Sequence, residues 1–280
     1  MRTMLIALLI MASAVSAAAS ISVGGVSIAI VRPDGFSPVT PEMASLYELQ
    51  NNFVAPMNQE FVAFIRERDV ASALADEIPD MTRRFTVQTA KSLIDAKVSA
   101  SDFAQLKDII RSENDKLMTR VEEQLPGLLR QLNEGLTRKY DVDLALSVSQ
   151  MLPMPIHEES ERTLAYSALV RYDMNDKEGG PAQFVAVVTS TFVHVRGKVL
   201  FLYSYAEESG LDWSRQASRH WASAVVEANP SDFQASISEA MPSAISRFDW
   251  EKVGVHAVAG AFIALIISLI GWVIGRGKKG

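Results

Sequence analysis

Seven stretches of the chain have the residue pattern of β-strands, and in some of them hydrophobic and polar positions alternate with a period of two. These stretches are residues 26–31, 60–67, 84–91, 142–150, 163–172, 184–195 and 198–206. Between the last two, Arg196-Gly197 has the length of a two-residue hairpin turn. Both faces of the last stretch are apolar, so we expect the sheet to be covered on both sides.

A helical period dominates the middle of the chain. From residue 102 to residue 139 the apolar positions mostly step by three or four and the opposite face is charged. This pattern predicts one long amphipathic helix. Asp102 with Gln105 predicts a capping-box start. Pro126-Gly127 predicts a kink or a division into two helices, because proline removes a backbone donor.

The order of these elements predicts an α+β fold. A strand, a helix and two strands precede the long helix, four strands in a meander follow it, and an amphipathic helix closes the domain near residue 229. The expected architecture is therefore an antiparallel sheet covered by helices, including the one long amphipathic helix. We place this α+β domain at residues 20–229.

The N-terminus has the pattern of a secretory signal peptide. Arg2 precedes an apolar stretch over residues 4–12, and two small-x-small sequences end at Ala17 and Ala19. The apolar stretch is shorter than the ~20 residues that a spanning helix needs. We expect a signal peptide over residues 1–19, cleaved near Ala17 or Ala19, and an uncleaved N-terminal anchor is the alternative.

The C-terminal residues 253–275 carry no formal charge and are followed by a basic tail over residues 276–280. At ~1.5 Å per residue they reach about 34 Å, enough to cross the hydrocarbon core of a bilayer. A transmembrane helix joined to the domain by a stalk over residues 230–252 is the prediction, and a buried core helix is the alternative. The expected interfacial and cytoplasmic anchors are Trp250, Trp272, Arg276, Lys278 and Lys279.

Gly271 and Gly275 give this segment one G-x-x-x-G spacing, which is found on helix-pairing faces. Glycine is also frequent in membrane helices that do not pair in this way. With the basic tail inside and the export signal outside, the expected location is a cell inner membrane. The chain would cross it once, with its domain in the periplasm and its C-terminus in the cytoplasm.

Charge and composition narrow the classes of partner. The chain has 27 basic and 33 acidic residues, a net charge of −6, and no cysteine. An acidic exported domain is repelled by nucleic acid, so we expect no nucleic-acid partner. The absence of cysteine excludes disulfides, thiol nucleophiles and cysteine-ligated metals.

No catalytic or metal-binding motif is found in the sequence. The four histidines have no metal-ligand spacing, and H-E-x-x-H, G-x-S-x-G, P-loop and G-x-G-x-x-G patterns are absent. We therefore expect no metal and no cofactor. A non-catalytic protein is favoured over an enzyme, although an enzyme with a dispersed site remains an alternative, since active sites are often assembled from distant residues.

His194, Arg196 and Lys198 alternate along the tip of the last hairpin, so all three could project to one side and contact an acidic partner. An edge strand that is protected from aggregation by charges has the same pattern.

Aromatic residues are concentrated at the end of the domain. Tyr203, Tyr205, Trp213 and Trp221 would form one cluster if the closing helix packs over the last strand. Such a cluster could line a ligand pocket. Ordinary core packing of large aromatic side chains is the other interpretation.

Two stretches resemble the PsbP-like family. They are VSIAIVRPDGF at residues 26–36 and FVHVRGKVLFLY at residues 192–203, the latter followed by a helix that carries tryptophan. The resemblance implies a small α/β/α sandwich that is non-catalytic and binds other proteins, often at membranes. It transfers no functional residues to this chain.

The leading hypothesis is a single-pass, membrane-anchored accessory or adaptor protein that binds a partner protein outside the cytoplasm. The first alternative is a binding module for a small molecule or lipid, with its pocket under the closing helix. The second alternative is the enzyme with a dispersed site.

Overall fold

Eight strands form one antiparallel sheet in a computed structural model of the chain, which describes residues 18–140, 144–176, 180–230 and 248–277. The first two strands form a separate hairpin, and the sheet order is β3-β4-β5-β10-β9-β8-β6, with β7 paired to β8. In chain order the strands are β1 (Ala18–Val23), β2 (Val26–Val31), β3 (Phe36–Pro38), β4 (Asn58–Arg66), β5 (Arg84–Ala90), β6 (Leu144–Pro153), β7 (Glu158–Glu159), β8 (Thr163–Asp176), β9 (Gly180–Val195) and β10 (Lys198–Glu207).

Five α-helices accompany the strands in the described residues, together with short 3-10 turns. They are α1 (Ala44–Asn52), α2 (Val70–Leu74), α3 (Ala100–Tyr140), α4 (Leu211–Ala228) and α5 (Trp250–Gly277). The predicted α+β class, with its antiparallel sheet and its long helix, is confirmed.

Each face of the sheet packs against its own layer of helices. On the first face, residues such as Phe192 and Phe201 form a core with α3 and α5. On the second face, Leu200 and Leu202 form a core with α4 and the β1–β2 hairpin. Because successive side chains of a strand point to opposite faces, the doubly apolar pattern of β10 produces both cores. The expected covering on both sides is confirmed.

The turn between β9 and β10 is the predicted two-residue hairpin. Arg196 has φ 51° and Gly197 has φ 71°, and Val195 pairs with Lys198 across the turn. Two successive positive φ angles match the right-handed twist of the flanking strands.

The long helix α3 begins one turn earlier than its predicted cap. The backbone N–H of Ser99 donates to the Asp102 carboxylate at 2.9 Å, and the N–H of Asp102 donates to the Ser99 hydroxyl at 3.1 Å. This reciprocal box replaces the predicted pair of Asp102 and Gln105, with Ser99 at the N-cap and Asp102 three residues into the helix. The helix also continues through Pro126, so it is one helix and not two.

Helix α5, which contains the segment predicted to span a membrane, lies beside α3 on the first face of the sheet. Its stretch Trp250–Ser268 is long and apolar enough to cross a bilayer, with a mean hydropathy of 1.5, and 83% of that stretch is buried inside the protein. An ion pair of 2.5 Å joins Arg120 of α3 to Glu251 of α5. A core helix and a membrane helix share this composition, so only the contacts of α5 can distinguish the two environments.

Candidate functional site

The surface that α5 covers is unusually polar for the interior of a sheet, and we call it the helix groove. Adjacent strands supply its side chains on one face, because Tyr205 pairs with Arg84 and Phe201 pairs with Gln88 across β10 and β5. The polar side chains of the helix groove are Asn58, Glu60, Arg84, Thr86, Gln88, Tyr172, Tyr203 and Tyr205. Most of them are fully buried.

Two buried tyrosines bind the backbone of α5. The Tyr203 hydroxyl donates to the carbonyl of Ala257 at 2.7 Å, and the Tyr172 hydroxyl donates to the carbonyl of Phe262 at 2.8 Å. Each helix carbonyl has a second lone pair that can accept such a bond beside its intrahelical partner. The tyrosines therefore hold the helix without contacting a particular side chain.

Asn58 and Arg84 extend this arrangement along the helix. The Asn58 amide donates to the carbonyl of His256 at 3.0 Å. The Arg84 guanidinium donates to the carbonyl of Ala264, and its Nε donates to the Ser268 hydroxyl at 3.3 Å. The four donors come from β4, β5, β8 and β10 and reach carbonyls between His256 and Ala264, and we call them the polar row.

Arg84 is a charged residue of the helix groove whose side chain has no exposed surface, so its charge must be stabilised by neighbouring groups. Its guanidinium carbon lies 4.0 Å from the centroid of the Tyr205 ring, which is a cation–π geometry. Its Nη1 nitrogen has no hydrogen-bond partner among the described residues. A buried donor without a partner costs about 1–3 kcal/mol.

Glu60 is an acidic group that interacts electrostatically with Arg84. Burial raises the pKa of Glu60 to about 7, against the opposing effects of the Arg84 charge and a hydrogen bond from Gln88. The Gln88 amide donates to the Glu60 carboxylate at 3.1 Å. The helix groove thus contains a carboxyl group that titrates near neutral pH beside a buried cation.

Gly260 allows α5 to approach the donors closely. A Cβ added at this position would overlap the Asn58 side-chain nitrogen, and it would lie 2.9 Å from the Gln88 oxygen and 3.3 Å from the Tyr203 hydroxyl. The helix backbone can reach the polar row only because residue 260 has no side chain.

The structure separates the three charged residues that were predicted to form a hairpin surface. His194 is buried, stacks on Phe103 at 5.4 Å, and its Nε2 lies 2.8 Å from the carbonyl of Val98. The Lys198 ammonium donates to carbonyls in the loop before α3, at 2.7 and 2.8 Å. Arg196 remains exposed at the turn. The hairpin binds the loop before α3. The prediction that these three side chains form a common surface is therefore wrong.

The predicted aromatic cluster is also divided, because its members lie on opposite faces of the sheet. Tyr203 and Tyr205 belong to the core under α5, whereas Trp213 and Trp221 pack in the core under α4. Helix α4 covers the face of Leu200 and Leu202 rather than the tyrosine face. The alternation of β10 explains the division, since helix α4 can contact only one of the two faces.

The tryptophans do line a cavity, of about 240 Å³, between α4 and the turn after β2. The Trp221 indole donates to the carbonyl of Val31 at 2.8 Å. Trp213 is half-buried, with the Arg83 guanidinium 4.7 Å from its ring centroid. Phe36, Phe85 and His220 complete the wall. This cavity lies at the edge of the closing helix, where a ligand pocket was one expectation.

The predicted membrane anchors are only partly described. Trp250 is buried at the start of α5, with its ring 4.7 Å from that of Phe248. For residues 271–277 only the helical backbone is described, which covers Gly271, Trp272, Gly275 and Arg276. The described part of the chain does not include Lys278 and Lys279, or residues 1–17 of the predicted signal peptide. Their roles as anchors and as a helix-pairing face remain predictions.

Metal chemistry has no support in the described ranges. Within them, no three histidine, aspartate or glutamate side chains come together in an arrangement that could hold an ion.

Comparison with known proteins finds similarity among solved structures only. No protein-family profile matches the sequence, and no curated protein matches it. Among solved structures, the chain is similar to cyanobacterial PsbP (CyanoP) from Synechocystis sp. PCC 6803. The identity is 10%, with 76% of this chain and 93% of that chain covered, and the TM-score is 0.29.

Proposed function

We propose that the chain is an exported accessory protein that α5 attaches to a membrane, and that its α+β domain binds a partner protein without catalysing a reaction. The observation that carries the proposal is the length and composition of α5. Its stretch Trp250–Ser268 has a mean hydropathy of 1.5. A helix of this kind is stable in hydrocarbon because all its backbone groups are paired within the segment.

The charge distribution supports one orientation. Three basic residues follow the apolar segment, at positions 276, 278 and 279, whereas Asp249, Glu251 and Lys252 precede it. Basic residues are retained on the cytoplasmic side of a membrane. The proposed location is therefore a cell inner membrane, with the domain in the periplasm and the C-terminus in the cytoplasm.

Membrane attachment can be tested in a Gram-negative host that expresses the full chain with a C-terminal epitope. We expect the protein to stay in the membrane pellet after alkaline carbonate washing. In spheroplasts, added protease should remove the domain and spare the epitope. Ile263→Arg should release a large fraction of the chain, since a central arginine costs about 2.5–3.5 kcal/mol on insertion scales.

Lys252→Arg is the matched control, because it keeps the charge outside the apolar segment and should leave the pellet fraction unchanged. Recovery of the unmodified chain in the carbonate supernatant would contradict membrane attachment.

A second candidate function is supported by the cavity beside α4. Its volume of about 240 Å³ and its aromatic wall fit a small, largely apolar ligand. If the cavity binds such a ligand, Trp213→Ala should weaken binding at least ~10-fold through loss of aromatic contact area. A screen of small aromatic compounds by tryptophan fluorescence can measure this effect.

Exposed Tyr47 lies away from the cavity, so Tyr47→Ala is the control for this screen. Equal affinities of the Trp213 and Tyr47 variants for a compound found in the screen would place the ligand elsewhere.

A further inference from the structure

We propose that the helix groove is the partner-binding surface of this protein, and that its ligand is an apolar helix of the partner, for which α5 is the internal competitor. The inference rests on the proposed function, because the helix groove is open only when α5 spans a bilayer. When α5 is docked, as in this structure, the same surface is closed.

The polar side chains that line the helix groove, which we call its floor, bind the backbone of a helix. Tyr203, Tyr172 and Arg84 donate to the carbonyls of Ala257, Phe262 and Ala264. Every α-helix presents carbonyls at these spacings, whatever its side chains. These donors therefore suit any helix that can lie equally close to the sheet.

Two features restrict which helices can do so. Most side chains of α5 that are buried in the core shared with α3 are apolar, among them Val253, Val258 and Phe262. At the crossing point, a side chain on residue 260 would overlap Asn58. A partner helix must therefore be apolar and must have glycine at the crossing point.

Helix α5 does not satisfy the polar atoms of the helix groove completely. The Nη1 nitrogen of Arg84 and the Oδ1 oxygen of Asn58 are buried and have no hydrogen-bond partner among the described residues. The only side chain that α5 offers to Arg84 in the described contacts is the hydroxyl of Ser268, at 3.3 Å. A carboxylate at that position would accept two bonds from the guanidinium.

The preferred ligand follows from these contacts. It is an apolar helix with a glycine at the position of Gly260 and an acidic side chain eight residues later, at the position of Ser268. Such a helix would gain a charge-assisted pair that α5 lacks, worth about 1.5–3 kcal/mol or roughly 10- to 100-fold in affinity. It would therefore displace α5 once α5 has the bilayer as an alternative environment.

The absence of cysteine from the sequence permits a clean test by disulfide locking. In an Asn58→Cys/Gly260→Cys variant the amide that a Cβ at residue 260 would overlap is absent, so the two cysteines face each other at the crossing point and can form a disulfide. Oxidation should hold α5 in the helix groove, and reduction should release it. The reduced form of the same protein is the matched control.

The probe is a fluorescent peptide with the α5 sequence, carrying Ser268→Asp and lysine tails for solubility. It is titrated against the full chain in lipid nanodiscs. We expect binding to the unmodified chain, and at least ~10-fold weaker binding to the oxidised variant than to the reduced form of the same variant. A peptide that also carries Gly260→Leu should bind at least ~10-fold more weakly than its parent, because the added side chain collides with the floor.

Equal binding to the oxidised and reduced forms would overturn the proposal, because the peptide would then occupy another surface. Absence of binding to a chain whose C-terminal epitope is protected from protease would overturn it and leave membrane attachment standing. If the epitope is not protected, α5 has not entered the bilayer, and both the proposed function and this inference fail.

Discussion

Replacing Gly260 by valine is expected to displace α5 from the helix groove in the membrane-free chain. A Cβ at this position overlaps the Asn58 amide, and the nearby Gln88 oxygen and Tyr203 hydroxyl leave it no other space. Overpacking a tight contact costs about 1–3 kcal/mol. The substitution also separates the helix from its row of hydrogen-bond donors, so we expect an effect at the upper end of that range.

Hydrogen exchange measures this effect directly. The amides of α5 should exchange at least ~10-fold faster in Gly260→Val than in the unmodified chain, since about 1.4 kcal/mol corresponds to tenfold in an opening equilibrium. Tryptophan fluorescence should change as well, because Trp250 leaves a fully buried site.

Gly127→Val is the matched control, because Gly127 is also a helical glycine but has open space around its Cβ position. Valine and glycine differ by only a few tenths of a kcal/mol in helix propensity, so this variant should retain the exchange rates of the unmodified chain. If both variants lose protection in α5 to the same extent, the close contact at Gly260 does not hold the helix.

The sequence predicted the strands of the sheet well because alternation is a local property. Residues 184–195 and 198–206 were predicted as strands with a two-residue turn, and the structure has β9, β10 and that turn. The positions of β4 and β5 were also close to those expected. These elements are determined by neighbours along the chain, which periodicity detects.

Local patterns could not predict which helix covers which face of the sheet. Alternation indicates that Tyr203 and Leu202 point to opposite faces, but it does not indicate which face α4 covers. The expected aromatic cluster assumed the tyrosine face, and the structure places α4 on the leucine face. Long-range packing decides this choice, and no local pattern records it.

The polar side chains that β5 contributes to the helix groove were not predicted, for a related reason. Arg84, Thr86 and Gln88 alternate with Phe85 and Val87, a pattern that usually indicates a face exposed to water. In the structure this polar face is buried under α5. The pairing of this strand with β10, which places Tyr203 and Tyr205 beside it, is a long-range feature that the sequence does not reveal.

The location of α5 shows the limit of hydropathy as a criterion. The same apolar segment can be placed in lipid or in a protein core, and its length does not distinguish the two. Donors such as Tyr172 and Tyr203, which point at its backbone, are a feature of the protein environment only. The two environments are compatible if α5 exchanges between them, and this is the basis of the inference about the helix groove.

Replacing Arg84 by methionine is expected to destabilise the docked chain by about 1–3 kcal/mol near pH 8, because it removes the hydrogen bonds to Ala264 and Ser268 and the positive charge that acts on the half-buried Glu60 carboxylate. Near pH 5 the cost should be smaller, since burial raises the pKa of Glu60 to about 7 and the group is then mostly neutral. Urea unfolding of the membrane-free chain at both pH values measures the difference.

The sign of the pH effect follows from proton binding. Between the usual pKa of a glutamate, 4.5, and about 7, the folded chain binds more protons at Glu60 than the unfolded chain does. Stability therefore falls as the pH rises through this window, by at most about 3 kcal/mol for this group. Glu60→Gln should remove most of this slope, and Arg84→Met should steepen it.

The double variant Arg84→Met/Glu60→Gln separates the buried interaction from general effects of mutation. With both charges removed, stability near pH 8 should recover most of the loss caused by Arg84→Met alone, because no uncompensated buried charge remains. The exposed pair Arg32 and Glu67, 3.5 Å apart, is the control, and its equivalent substitutions should cost less than about 1 kcal/mol at either pH. If Arg84→Met has the same cost near pH 5 and near pH 8, Glu60 does not depend on Arg84, and the polar row under α5 acts through its hydrogen bonds alone.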